Sequence, residues 1–199
     1  WLQADREGYY WGQCAEFCGE SHANMRFRVI SLNDGDFQAW VERQAQEARN
    51  VTSADTAIPW SDLNPKIQFA SYEETTDSEP ELGSIEGWRR QQFPVGEEDP
   101  VAINNGRSLF PKKLCVMCHT IRGHGALGII GPDLTHFGSR TTVAAGLLEN
   151  TPEHLASWIR DPESIKPGNI MNRDGYVINQ TDLSENDVQA LVAYLNSLK

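Results

Sequence analysis

Apolar and polar residues alternate with a period of two near the start of the chain and with a helical period near its end. Residues 8–12 hold Tyr9, Tyr10 and Trp11, and Met25, Phe27 and Val29 interleave with Arg26, Arg28 and Ile30, so two strands are predicted to flank a loop. Some thirty residues cannot enclose a β core alone, so this part reads as the C-terminal edge of a sandwich whose earlier strands are not on this chain. Residues 36–48 predict an amphipathic helix with Phe37, Trp40, Val41, Ala45 and Ala48 on one stripe. From 49 to 95 the periodicity fades. Pro59, Pro65, Pro80 and Pro94 punctuate this stretch, and residues 72–86 are acidic with little to bury. It reads as a linker, docked through Trp60, Phe69 and Trp88. The remainder is helical in pattern: Asp99 precedes Pro100 and Thr151 precedes Pro152, two helix starts. Ser184-x-x-Asp187 resembles a capping box before a stripe of Val188, Leu191, Val192, Leu195 and Leu198.

The pattern thus divides 199 residues into an N-terminal β edge with its helix (1–48), an acidic linker (49–95) and a helical unit (96–199). Charge follows the same division. The net charge of −11 is carried almost entirely by residues 33–99, which hold fifteen acids against five Lys/Arg. That balance argues against nucleic acid as a partner. No apolar run approaches the ~18 residues of a membrane span. The chain opens on Trp1 within a polar run and reads as a piece of a longer protein.

Four cysteines sit in two tight pairs, Cys14-x-x-x-Cys18 and Cys115-x-x-Cys118-His119. Such spacing suits metal or cofactor chemistry better than a disulfide framework, although local disulfides of an exported protein remain an alternative for the first pair. In the second pair, two thiols three residues apart match the two vinyl groups of one porphyrin, and the adjoining histidine falls beneath the iron. Gly123, Gly125 and Gly128 follow, then Gly131-Pro132-Asp133-Leu134, then Lys166-Pro167-Gly168-Asn169-Ile170-Met171, whose thioether offers a sixth ligand. Met/His ligation fills both axial positions and favours electron transfer over oxygen chemistry.

On these motifs and their order, residues 99–199 resemble the class I cytochrome c domain. The resemblance implies an all-α fold and one covalent haem c on Cys115 and Cys118, with His119 and Met171 as axial ligands. It implies that the first helix, with Gly106 and Phe110, crosses the last, with Leu191 and Tyr194. The Pro132 carbonyl is expected to accept the His119 ring N–H, and Arg140 and Trp158 to line the haem pocket. Asn172 departs from the family, which commonly has proline after the methionine. His124, His136 and His154 read as ordinary polar residues.

The first pair extends to Cys14-x-x-x-Cys18-x-x-x-His22-x-x-Met25, two thiols, an imidazole and a thioether within twelve residues. Thiolate with imidazole suits copper or zinc, and the thioether argues for copper. Residues 12–25 closely resemble the dinuclear copper (CuA) loop of cytochrome c oxidase subunit II. The resemblance implies bridging Cys14 and Cys18, terminal His22 and Met25, and the backbone carbonyl of Glu16 as a further ligand. That family also uses a histidine from an earlier strand, and no histidine precedes Cys14 here. The chain by itself is therefore expected not to hold a complete two-copper centre.

The combination resembles subunit II of a caa-type haem–copper oxygen reductase: α+β and multidomain, with a cupredoxin-like edge, a linker and a cytochrome c domain. The resemblance implies an extracytoplasmic, periplasmic position and an N-terminal membrane anchor that this chain lacks. It implies partnership with subunit I and the other oxidase subunits. The donor would be a soluble cytochrome c or a high-potential iron–sulfur protein, and the chain would relay electrons without binding oxygen. Tyr9, Tyr10 and Trp11, beside the copper loop, suit either an electron path or the packing of a sandwich edge. The alternatives are a nitrous-oxide reductase with a cytochrome extension, a free electron-carrier cytochrome, and a disulfide-stapled interaction module.

Overall fold

The computed structural model describes residues 1–51, 82–94, 98–172 and 183–199. Its first element is an antiparallel hairpin of β1 (Gly8–Gln13) and β2 (Arg26–Ser31), in register from Gly8 opposite Ser31 to Gln13 opposite Arg26. Cross-strand pairing fixes the hairpin, with the Arg28 guanidinium 3.3 Å over the ring of its partner Trp11. A backbone bond from Cys14 N to Met25 O, 2.9 Å, closes the loop between the strands. Among the described residues β1 and β2 form a two-stranded sheet.

Helix α1 (Asp34–Gln44) follows, with the Asn33 side chain accepting from Asp36 N. It begins and ends earlier than the expected 36–48, and its buried face differs from the expected stripe. Phe37 and Val41 are exposed, whereas Asp36 and Arg43 are buried. The reason lies in its neighbour, α2 (Ile85–Gln91), which falls inside the stretch read as linker. Arg89 of α2 donates to Asp36 at 3.0 Å and to Glu7 at 2.8 Å, and Arg43 donates to Gln92 O at 2.6 Å. Polar groups bonded to one another displace the apolar stripe from this interface. Trp88 on α2 is buried, as expected of a docked anchor. Trp60 and Phe69 lie outside the described residues.

The C-terminal unit is built on α3 (Pro100–Lys112), capped by Asp99, and α6 (Glu185–Ser197), capped by the expected Ser184/Asp187 box. Between them come α4 (Pro152–Arg160), capped by Thr151, and the short α5 (Pro162–Ile165). The unit was expected to be all-α. It also carries two pairs of two-residue strands, β3 (Thr120–Ile121) with β4 (Ala126–Leu127), and β5 (Thr142–Val143) with β6 (Leu148–Glu149). Each pair closes a short loop; the core remains helical. Val188, Leu191, Val192, Leu195 and Leu198 are all buried there with Ile103, Phe110, Leu155 and Ile159. Among the described residues no helix is long and apolar enough to cross a membrane.

Helices α3 and α6 cross at Gly106. A Cβ there would stand 2.0 Å from the Ala190 carbonyl oxygen and 2.6 Å from Tyr194 Cβ. Phe110 meets Tyr194 edge-on at 5.7 Å beside the crossing. His124 lies against the same tyrosine, its Nδ1 2.8 Å from the hydroxyl. Burial, with a smaller push from Arg107, lowers the His124 imidazole to about 4.

Two outcomes follow. Gly106→Ala should destabilise the protein by about 3 kcal/mol through overpacking, read as a lower denaturant midpoint at unchanged slope. Because the folded His124 binds its proton less readily than the unfolded one, its contribution is intact above pH ~6.5 and is lost as pH falls towards 4. Unfolding free energy at pH 5 should therefore lie about 1 kcal/mol below that at pH 7, after discounting for partial exposure. His124→Asn should flatten that slope.

Candidate metal centres

The β1–β2 hairpin loop gathers soft donor atoms. Cys18 Sγ lies 3.6 Å from Cys14 Sγ, 3.6 Å from His22 Nδ1 and 3.1 Å from Met25 Sδ. Cys14 Sγ is 3.2 Å from the Glu16 carbonyl oxygen. The donor atoms of Cys14, Cys18 and His22 all fall within 4.8 Å of one another. The loop achieves this by local folding. His22 N bonds to Gly19 O, a single 3-10 turn (His22–Asn24) follows, and Met25 is returned to the foot of β2 beside the cysteines. Both thiols are free. The hydrogen bond to Cys14 raises the Cys18 thiol above its ordinary value, and the nearby Lys166 ammonium opposes that rise. Two thiols, an imidazole, a thioether and a carbonyl converging in this way form a donor set that fits copper.

The second centre starts where α3 ends. Leu114 takes a left-handed φ of 59° and turns the chain into the 3-10 turn Cys115–Met117, which presents Cys115, Cys118 and His119 in succession. Burial pushes the Cys115 thiol up to about 11, so it is protonated at neutral pH. Redox-active Cys-x-x-Cys pairs have depressed thiol pKa values, and this environment is the reverse. The Pro132 carbonyl oxygen stands 2.9 Å from His119 Nδ1. That contact sets the tautomer with the proton on Nδ1 and leaves Nε2 as the coordinating atom.

The loop carrying Pro132 lies flat against the imidazole because it has glycine where any side chain would collide. A Cβ on Gly131 would stand 2.5 Å from His119 Cε1, and one on Gly128 2.4 Å from the Cys118 carbonyl carbon. Around these residues Met117, Leu127, Ile129, Ile130 and Ile170 are exposed. An oriented imidazole, two thiols and an apolar rim fit a covalently held haem. Met171 is half-buried in the 3-10 turn Ile170–Asn172, and Trp158 on α4 is half-buried against the core. Arg140 is exposed, donates to the Asp133 carbonyl and lies 5.6 Å from the Phe137 ring. His136 and His154 bond to backbone carbonyls, as ordinary polar residues do.

The segments that carry the two donor sets are packed against each other. Tyr9 Oη lies 2.8 Å from Thr141 Oγ1, Arg26 N donates to Ala145 O at 2.9 Å, and Arg28 donates to Gly146 O at 3.1 Å. Arg122, three residues past His119, donates to the Gln44 and Ala45 carbonyls at the end of α1, where the helix dipole is negative. A cleft of about 460 Å³ lies along this seam, lined by Arg28, Trp40, Trp88, Arg122, Arg140 and Thr142 among others. Contacts spanning 77 to 132 positions carry no local sequence signal.

Comparison with known proteins agrees with both donor sets. Residues 103–199 match the cytochrome c family, and residues 1–32 match the family described as cytochrome c oxidase subunit II, periplasmic domain. The whole chain is similar to the cytochrome c oxidase subunit 2 of Alkalihalophilus pseudofirmus, at 35% identity over 199 residues, and of Bacillus sp. strain PS3, at 31% over 209 residues. It covers 42% and 44% of those proteins. The Bacillus subtilis subunit 2 is 28% identical over 193 residues, which is 96% of this chain and 39% of that one. The chain thus spans about two-fifths of the length of these curated relatives. Matches to part of the cytochrome c oxidase subunit II periplasmic domain and to the cytochrome c family thus fall on one polypeptide.

Proposed function

We propose that this chain is the electron-transferring portion of subunit II of a caa-type cytochrome c oxidase. It would take electrons from an external donor and pass them through haem c and a dinuclear copper centre towards the oxygen-reducing, proton-pumping subunit I. The observation that carries the reading is the presence of two separate soft-donor sets, Cys14/Cys18/His22/Met25 and Cys115/Cys118/His119, in one packed unit. A nitrous-oxide reductase is disfavoured, because the relatives aligned over the whole chain are named as oxidase subunits.

In this reading Cys115 and Cys118 would hold the haem covalently, and His119 Nε2 and Met171 would ligate its iron. Pro132 fixes the imidazole, and Arg140 and Trp158 line the pocket. Cys14 and Cys18 would hold the copper, with His22, Met25 and the Glu16 carbonyl as further ligands and a second histidine supplied from a part of the protein outside this chain. Both groups, when bound, supply one-electron redox chemistry with little change of geometry. The chain's own contribution is to hold the ligands in place, through the loop bonds around Cys14–Met25 and the Pro132 carbonyl at His119.

The segments are assigned as 1–48, the end of a cupredoxin-like domain with its helix; 49–95, an acidic connecting stretch; and 96–199, the cytochrome c domain. The soluble part would lie on the extracytoplasmic side, bound to subunit I and anchored by a membrane segment. The donor would be a soluble cytochrome c or a high-potential iron–sulfur protein.

Paired variants of the full-length protein in its complex test the reading. Met171→Ala should keep the haem covalently attached while lowering its midpoint potential and opening the iron to carbon monoxide. An unchanged spectrum would remove Met171 from the ligand set. Cys14→Ser should leave haem content intact, deplete copper, and cut donor-driven oxygen uptake by about tenfold or more. Full copper and full uptake in that variant would overturn the copper assignment.

A further inference from the structure

The loop between Cys18 and His22 touches the loop that leads into Met171. Ser21 Oγ donates to the Pro167 carbonyl across 146 positions of sequence. Glu20 lies against Gly168 so closely that a Cβ there would stand 2.6 Å from its Oε2 and 3.3 Å from its Cβ. Gly168 also holds a φ of +73°, so both its backbone and its lack of a side chain are required for this approach. Its own loop is braced from behind. Glu163 accepts from Gly168 N at 2.9 Å, and the buried Asn169 donates to Lys166 O at 2.8 Å and to Glu163 at 3.3 Å. On the other side, Arg26, next to Met25, is tied through its backbone N–H to Ala145 O.

We propose that the contact of Glu20 and Ser21 with Pro167 and Gly168 is a positioning junction, which holds the methionine-bearing loop on the cysteine–histidine loop and provides a short bonded route between the two ligand shells. The route runs from His22 through the adjoining peptide to Ser21, across its hydroxyl to the Pro167 carbonyl, and along four residues to Met171. Electron passage between the centres then occurs in one fixed geometry and needs no docking step. An electron passed between the two groups would require no proton transfer and no bond change at Ser21, Pro167 or Gly168. The residues act through the ligand loops and touch neither metal, so they are positioning residues.

This inference rests on the haem and copper assignments above, and its test separates the two. The full-length protein in its complex is prepared as the parent, Ser21→Ala, and Ser21→Trp, the last to wedge the loops apart. Hydrogen–deuterium exchange across 165–170 should quicken in both variants, while haem spectrum, haem midpoint potential and copper content stay at parent values. After flash photoreduction of the haem, electron redistribution to copper should slow by about tenfold or more in Ser21→Trp and by less in Ser21→Ala. Unaltered exchange across 165–170 overturns the contact. Faster exchange with an unaltered transfer rate overturns its role in electron passage. A parent that binds haem and no copper overturns the underlying functional reading, and the electron role with it.

Discussion

The close crossing of α3 and α6 at Gly106 sets the position of almost everything else. With no side chain at that point, the α3 backbone approaches the Ala190 carbonyl to a distance that no other residue permits. That approach fixes where α3 ends, and the left-handed Leu114 then directs the Cys115–Met117 turn. The His119 ring, the Pro132 carbonyl and the glycines packed on the imidazole take their places from there. A displacement at the crossing would pass directly to the histidine.

Onto this frame the N-terminal segment is fastened by side chains that donate to backbone carbonyls. Arg43 reaches Gln92 O, Arg122 reaches Gln44 O and Ala45 O, and Lys199 reaches Gln91 O at 3.1 Å as well as Gly138 O. In the same seam Gln91 and Gln92 donate to Gly138 O and Ser139 O, each at 2.9 Å. The seam is therefore largely a set of polar bonds, with Trp88 as its main apolar anchor. The hairpin loop and the Cys115–His119 turn both sit at its margin.

Much of this was legible in the sequence where the signal is local. The Ser184 capping box, the Asp99 and Thr151 caps, the α6 stripe and the hairpin strands depend on residues a few positions apart, and the spacing of both cysteine motifs is equally short-range. The face of α1 was misread because periodicity assumes that apolar residues face the core. Here Asp36 and Arg43 are buried against partners about fifty positions away, leaving Phe37 and Val41 outside. Helix α2 lay hidden in an acidic stretch because Arg89, Gln91 and Gln92 look like solvent residues until their distant acceptors are known. The junction at Ser21 was unreadable for the same reason, since nothing near Ser21 in sequence points to Pro167.

The choice of acceptor at the seam has a consequence for behaviour in different salts. Attraction between exposed charges decays within a Debye length of about 8 Å at physiological ionic strength, and surfaces held by such pairs loosen as salt is added. A backbone carbonyl, in contrast, remains an acceptor at any ionic strength, and a buried bond to it is screened little. The carbonyl-held part of the seam is thus little affected by ionic composition, whereas the pair of Arg89 with the half-exposed Glu7 is open to screening. Sensitivity to salt falls on such exposed pairs, Arg160 with Glu185 among them, and on the meeting of this acidic chain with whatever protein approaches it from outside.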